Sequence, residues 1–359
     1  MARTSTRNST RNLLTPKAGV LQLLKQKPAL TFDGKMRWQP WRRTFHAALR
    51  RLMGPVPAAT PLRVQRRERV RFAGYTRETI LFNPDAFSTV AAHVLIPDRA
   101  RGGERRPGIL CAHGHGGGKA EIVSRRSAIY KQIAVRLCRD AGFVVIAPDW
   151  RNFGERGDSP TYIEHWGNEH GSDGCDLSYM LYGYFGYQTL TLDVCDARRC
   201  VDYLISRDDV DPKRIGAIGL SFGGTMTTYA AALDRRIKAC VISGYLSTIA
   251  DALGDRGRGN TCGSQFLFGL RTIGEIADVA GLIAPRACMV QIGKRDQCFI
   301  DGDAIGAYRH LRRIFRAAGA ADALELDHFD GGHEINAEPA LEFLQRRLLA
   351  GSSSRSAAR

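Results

Sequence analysis

The 359-residue chain has no Cys-x-x-Cys pair among its nine cysteines, no apolar run near the roughly 18 residues of a membrane span, and no acid in its first 32 positions. Each absence excludes something. Without paired cysteines, zinc-ribbon and thioredoxin-type redox chemistry have no support, and reduced thiols in a cytoplasmic protein are the expectation. Without a long apolar run, no stable membrane insertion is expected. Internal repeats are missing too, so a solenoid is excluded. The acid-free start is rich in Arg, Ser and Thr, as transit peptides are, but no apolar segment of adequate length follows it. Arg42-Arg43-Thr44-Phe45 resembles a twin-arginine export signal, yet Arg50 and Arg51 interrupt what should be its apolar stretch.

Composition is that of a globular protein, 44% hydrophobic and 25% charged. The net charge of +16 is local: residues 1–107 hold 22 Lys/Arg against 6 Asp/Glu, and the rest hold 30 of each. The basic segment lacks interleaved aromatics and any nucleic-acid motif, so a solvated or partner-docking face is expected and no nucleic acid. Trp41, Phe45, Leu49 and Leu52 recur at helical spacing and predict an amphipathic helix over Trp41–Met53, laid on the main domain. The expected organisation is a basic extension over 1–64, a catalytic domain over 65–350 and a tail over 351–359.

Against that background one stretch stands out. Arg214–Gly219 reads as a buried strand and Thr225–Leu233 as a helix, and between them lies Gly219-Leu220-Ser221-Phe222-Gly223. This Gly-x-Ser-x-Gly turn is a nucleophile elbow: it lifts the serine hydroxyl above the sheet at a helix N-terminus, where negative charge is favoured. A serine hydroxyl needs a base, and the base needs an orienting acid. Both are expected downstream, just past strand ends, where open α/β sheets gather their ligands. The strand Arg286–Ile292 is followed by Asp296, and the strand Ala323–Asp327 by Gly331-Gly332-His333. Ser221 is thus the expected nucleophile, His333 the base and Asp296 its orienting acid, with Asp301 and Asp303 as competing carboxylates. Oxyanion donors are expected from the backbone N–H of Phe222 and from the loop His113-Gly114-His115-Gly116-Gly117-Gly118, with His115 preferred and Gly116 second. His113 is expected to pack under that loop and bond backbone. No carboxylate or cysteine neighbours these histidines at ligand spacing in the chain, so neither metal nor cofactor is expected.

The segments HGHGGGK (His113–Lys119), APDWRNFGER (Ala147–Arg156), VDPKRIGAIGLSFGG (Val210–Gly224), LIAPRACMVQIGKRD (Leu282–Asp296) and GGHEI (Gly331–Ile335) together resemble the α/β-hydrolase superfamily, in its dienelactone-hydrolase and acetyl-xylan-esterase-like branch. The resemblance covers roughly residues 65–350. It implies an α/β fold, a mostly parallel sheet with helices on both faces, and a serine hydrolase of carboxylic esters with its triad on Ser221, Asp296 and His333. A small ester substrate and a possible homo-oligomer go with it. Dienelactone hydrolases use cysteine where this chain has Ser221.

The coarse reading has two leading strands, near Glu78–Phe82 and Thr89–Ile96, then alternating strands and helices, among them a helix near Ser124–Asp140. Cys111, Cys240 and Cys288 fall in strand-like apolar runs and read as small buried hydrophobes. Two insertions, about 156–188 and 245–275, leave the carboxyl edge of the sheet and should roof the site. The first carries Tyr162, Trp166, Tyr179, Tyr182, Tyr184, Phe185 and Tyr187, and a polar cluster of Glu164, His165, Glu169, His170 and Asp173. Activity is expected to fall below about pH 6 to 7 as His333 protonates. The alternatives are a peptidase or amidase with the same triad, and a non-catalytic binding module on this fold.

Overall fold

The computed structural model describes residues 15–98, 105–158, 174–253 and 261–349. The polar cluster from Glu164 to Asp173, Tyr162, Trp166 and the tail lie outside them. Nine strands form one sheet in the order β1-β2-β3-β5-β4-β6-β7-β8-β9. These are β1 (Gln65–Phe72), β2 (Tyr75–Phe82), β3 (Val90–Pro97), β4 (Arg106–Ala112), β5 (Val144–Pro148), β6 (Val210–Leu220), β7 (Ile237–Ser243), β8 (Ala287–Gly293) and β9 (Leu324–Phe329). The first three pair antiparallel, and β3 joins β5 antiparallel. All remaining pairs are parallel. This is the expected α/β-hydrolase architecture.

Two local expectations fail. Three leading strands precede the parallel part, not two, because β1 (QRRERVRF) is a charged edge strand with almost no apolar face to announce it. Of the helix expected over 124–140, only α4 (Ile133–Arg139) forms, and a separate short helix α3 (Lys119–Val123) precedes it. Residues 124–132 separate the two, and Lys131 and Gln132 just before α4 are at positive φ (49° and 55°), a conformation that breaks a helix.

Residue alternation along β4 shows how the layers form. Leu110 and Ala112 enter one buried apolar cluster, and Ile109 and Cys111 the other, on the opposite face of the sheet. The second cluster is closed by α4 and by the last helix, Ala337–Leu349, through Leu341, Leu344 and Leu348. The first takes the helices Phe222–Leu233 and Thr189–Ser206. It also takes α2 (Trp38–Leu52), the expected amphipathic helix, through Trp41, Phe45 and Leu49. Asp278 anchors the chain entering α2: its carboxylate accepts from the Phe32 N–H at 3.0 Å and the Thr31 hydroxyl at 2.8 Å. The part of the basic N-terminal segment around α2 is therefore packed into the core. Cys111, Cys240 and Cys288 are buried in their strands, as expected.

Candidate active site

Strand β6 ends at Leu220, and Ser221 caps the helix Phe222–Leu233 with φ 61° and ψ −122°. Residues with a side chain avoid that region, so the backbone is strained at the residue expected to react. The strain has a steric cause. A Cβ on Gly219 would overlap the Gly223 carbonyl, and one on Gly223 the Ala112 carbonyl, so strand, turn and helix close on each other where only glycine fits. The Ser221 N–H donates to the Ser243 carbonyl at 3.0 Å, fixing the elbow to the end of β7. Phe222 is the first helical residue, and its N–H has no intrahelical acceptor by position.

The loops after β8 and β9 are joined by Lys294 N–H to the Phe329 carbonyl (3.0 Å) and Arg295 N–H to the Gly331 carbonyl (2.8 Å). That junction brings together two expected residues distant in sequence: His333 Nδ1 lies 2.9 Å from Asp296 Oδ2. The other oxygen of Asp296 accepts the N–H groups of Cys298 (2.7 Å) and Phe299 (3.1 Å), which aims the carboxylate at the ring. Phe299 stacks on the imidazole with centroids 5.9 Å apart. Gly244, following Ser243, packs on the same ring: a Cβ there would stand 3.2 Å from Nδ1. Ser221 and His333 are thus held at one corner by Ser243 and Gly244. The competing carboxylates lie elsewhere; Asp301 pairs with His328 at 2.7 Å.

Burial opposes charge on His333, but Asp296 and the Cys298 thiol outweigh it and push its pKa up to about 9. The expected activity limb at pH 6 to 7 therefore moves to alkaline pH. Cys298 was not singled out from sequence, because nothing in QCF marks a thiol that meets a histidine 35 residues away.

The glycine loop after β4 stands beside the elbow; a Cβ on Gly114 would come 3.0 Å from Ser221 Cβ. Within it, the Gly114 N–H donates to the Tyr130 hydroxyl (2.6 Å) and the Gly117 N–H to Glu121 (2.6 Å), which removes both as oxyanion donors. His113 is buried and spans backbone groups, with Nδ1 2.6 Å from the Gly114 carbonyl and Nε2 accepting the Trp150 N–H at 3.1 Å. Burial holds its pKa down to about 4, so it is a neutral strut, as expected. Lys119 ends the loop in a buried ion pair with Asp149 (2.6 Å) and a contact to Glu155. Arg151 is clamped between Asp193 (2.9 Å) and Asp196 (2.5 Å). Arg156 also meets Asp196, so Glu155 and Arg156 pair with other elements and not with each other.

The His115 side chain meets sulfur: Nε2 lies 3.1 Å from Cys262 Sγ and 3.9 Å from Cys175 Sγ. Spacing along the chain gave no hint of this, since each thiol arrives on a different insertion.

The sequence matches the pattern of the Abhydrolase family over residues 2–333. The chain belongs to that family. The match takes in α2, in line with its burial. Among similar proteins, YtaP of Bacillus subtilis (strain 168), named as a hydrolase, is 26% identical over 316 residues, 83% of this chain and 97% of YtaP. A Bacteroides fragilis NCTC 9343 protein assigned as an acetyl xylan esterase superposes with a TM-score of 0.72 at 19% identity, over 90% of this chain and 84% of that one. A glucuronoyl esterase from Solibacter usitatus does so at 0.63 and 15%, over 90% and 97%. At these identities the likeness is one of fold. No helix among the described residues is long and apolar enough to cross a membrane.

Proposed function

We propose that this abhydrolase cleaves carboxylic esters through an acyl-enzyme on Ser221. The single observation carrying the reading is the His333–Asp296 contact of 2.9 Å at the corner where Ser221 leaves β6. In the first step Ser221 Oγ attacks the acyl carbon as His333 takes its proton, and the alcohol leaves with that proton. In the second, water attacks the acyl carbon while His333 accepts its proton and returns it to Ser221. Asp296 fixes the ring tautomer and stabilises the imidazolium, consistent with the raised His333 pKa. The backbone N–H groups of Phe222 and His115 hold the developing oxyanion, each worth about 10²- to 10³-fold in rate.

An apolar cavity of about 230 Å³ is walled by Tyr229, Tyr245, Leu267, Ile276 and Phe299, the ring that stacks on His333. Binding cavities for drug-sized ligands run from about 300 Å³ upward, so this one favours a small substrate group. Several similar structures are named acetyl xylan esterases, and an acetylated sugar is the substrate class we favour. We read the protein as cytoplasmic, with a small ester as its partner. Fluorophosphonate labelling of wild type and Ser221→Ala, followed by nitrophenyl esters of increasing acyl length and acetylated sugars, tests the reading. Equal labelling of the alanine variant would reject it.

A further inference from the structure

Three side chains from three separate segments converge outside the triad. His115 stands on the glycine loop, Cys175 in the first turn of the helix Gly174–Gly183, and Cys262 in the second insertion. Besides the 3.1 Å and 3.9 Å contacts of Nε2, all three ligand atoms lie within 4.8 Å of one another. A tetrahedral zinc ion, with Zn–S near 2.3 Å and Zn–N near 2.0 to 2.1 Å, spaces its ligand atoms about 3.5 to 3.8 Å apart. The observed triangle differs from one tetrahedral face by less than a side-chain rotation.

The scaffold around it is rigid. Phe153 meets the His115 ring edge-on at 5.2 Å and Phe222 lies against it at 5.4 Å, which directs Nε2 toward the sulfurs. The Gly263 N–H donates to Asp176 at 2.6 Å, and a Cβ on Gly263 would stand 2.6 Å from the Cys175 carbonyl. These contacts join the two insertions beside Cys175 and Cys262. Cys175 is buried, Cys262 half-buried and His115 exposed, which leaves an entry path on the imidazole side. Two thiolates and an imidazole select soft or borderline d¹⁰ ions, whereas magnesium and calcium take oxygen ligands.

We propose that His115, Cys175 and Cys262 bind one zinc ion and supply three of its ligands. Binding displaces the thiol protons to solvent and ties the glycine loop to both insertions. The site shares only His115 with the ester-hydrolysis reading, its imidazole as ligand and its backbone N–H as the proposed oxyanion donor, and no triad residue is a ligand.

The full chain, reduced with a phosphine and stripped with a chelator, is titrated with cobalt(II) and then zinc(II). One equivalent of cobalt should give thiolate charge-transfer absorption and tetrahedral d–d bands, both abolished by one equivalent of zinc. Cys262→Ser and His115→Ala should each weaken binding roughly 100-fold or more, while Cys298→Ser, in the triad's own sulfur-bearing corner, should bind as wild type. An octahedral spectrum, full affinity in Cys262→Ser, or loss of the bands in Cys298→Ser alone would overturn the proposal. So would reduced wild type that takes up no cobalt and instead joins Cys175 to Cys262 as a disulfide in air. If Cys262→Ser fails to fold by circular dichroism, His115→Ala decides, because its side chain is on the surface.

Discussion

The Ser243 carbonyl accepts the Ser221 N–H at 3.0 Å while its own hydroxyl donates to the Glu334 carbonyl at 3.3 Å. One residue at the end of β7 thus touches both the elbow and the residue after His333. The elbow that carries Ser221 and the loop that carries His333 are joined through this shared support.

Replacing the two serines should separate chemistry from support. Ser221→Ala is expected to lower kcat/KM on nitrophenyl acetate by at least about 10⁴-fold with an unchanged melting temperature. Ser243→Ala keeps the backbone bond and loses only the hydroxyl bond to Glu334, so it should cost about 1 kcal/mol of stability. Its activity should fall less than about tenfold.

The pH profile should place its ascending limb near 9. Below that value His333 holds a proton and cannot accept the one on Ser221, so kcat/KM falls as pH drops. Cys298→Ala removes one of the contacts that raise the ring, and the limb should move toward neutral pH. A limb that stays put in the variant would remove Cys298 from this account. Asp296→Asn should cost about 10⁴ in kcat.

Two glycines give opposite outcomes. Gly223→Ala forces a methyl into the Ala112 carbonyl and is expected to cost more than about 4 kcal/mol, seen as loss of soluble, cooperatively unfolding protein. Gly302 lies in the helix Asp301–Ala317 with nothing within 4 Å of an added Cβ. Gly302→Ala should therefore stabilise by roughly 0.5 to 1 kcal/mol in urea titrations.

Arg151→Ala leaves the buried carboxylates Asp193 and Asp196 without their main counter-charge. A loss of about 3 to 5 kcal/mol is expected from chemical denaturation. Arg156 still contacts Asp196, so a double variant with Arg156→Ala should lose more than either alone.

Where the sequence was legible, a steric or periodic constraint leaves a mark on composition. Gly219 and Gly223 are needed by close backbone approach, and Trp41, Phe45 and Leu49 by burial of one helix face; both can be read in one dimension. Strand β1 is not legible, since its partner β2 supplies the pairing and its side chains stay exposed. Nor is the break between α3 and α4, because Lys131 and Gln132 adopt positive φ without glycine or proline to signal it. The sulfur contacts were hidden for another reason: positions 115, 175 and 262 become neighbours only after the insertions fold back over the sheet.

The thiol of Cys298 beside His333, the base of the proposed reaction, has a practical corollary for inhibitor work. An alkylating or mercurial reagent that caps this sulfur would crowd the imidazole and silence turnover while leaving the serine hydroxyl untouched. Sensitivity to such reagents in this hydrolase is therefore no diagnostic of a cysteine nucleophile.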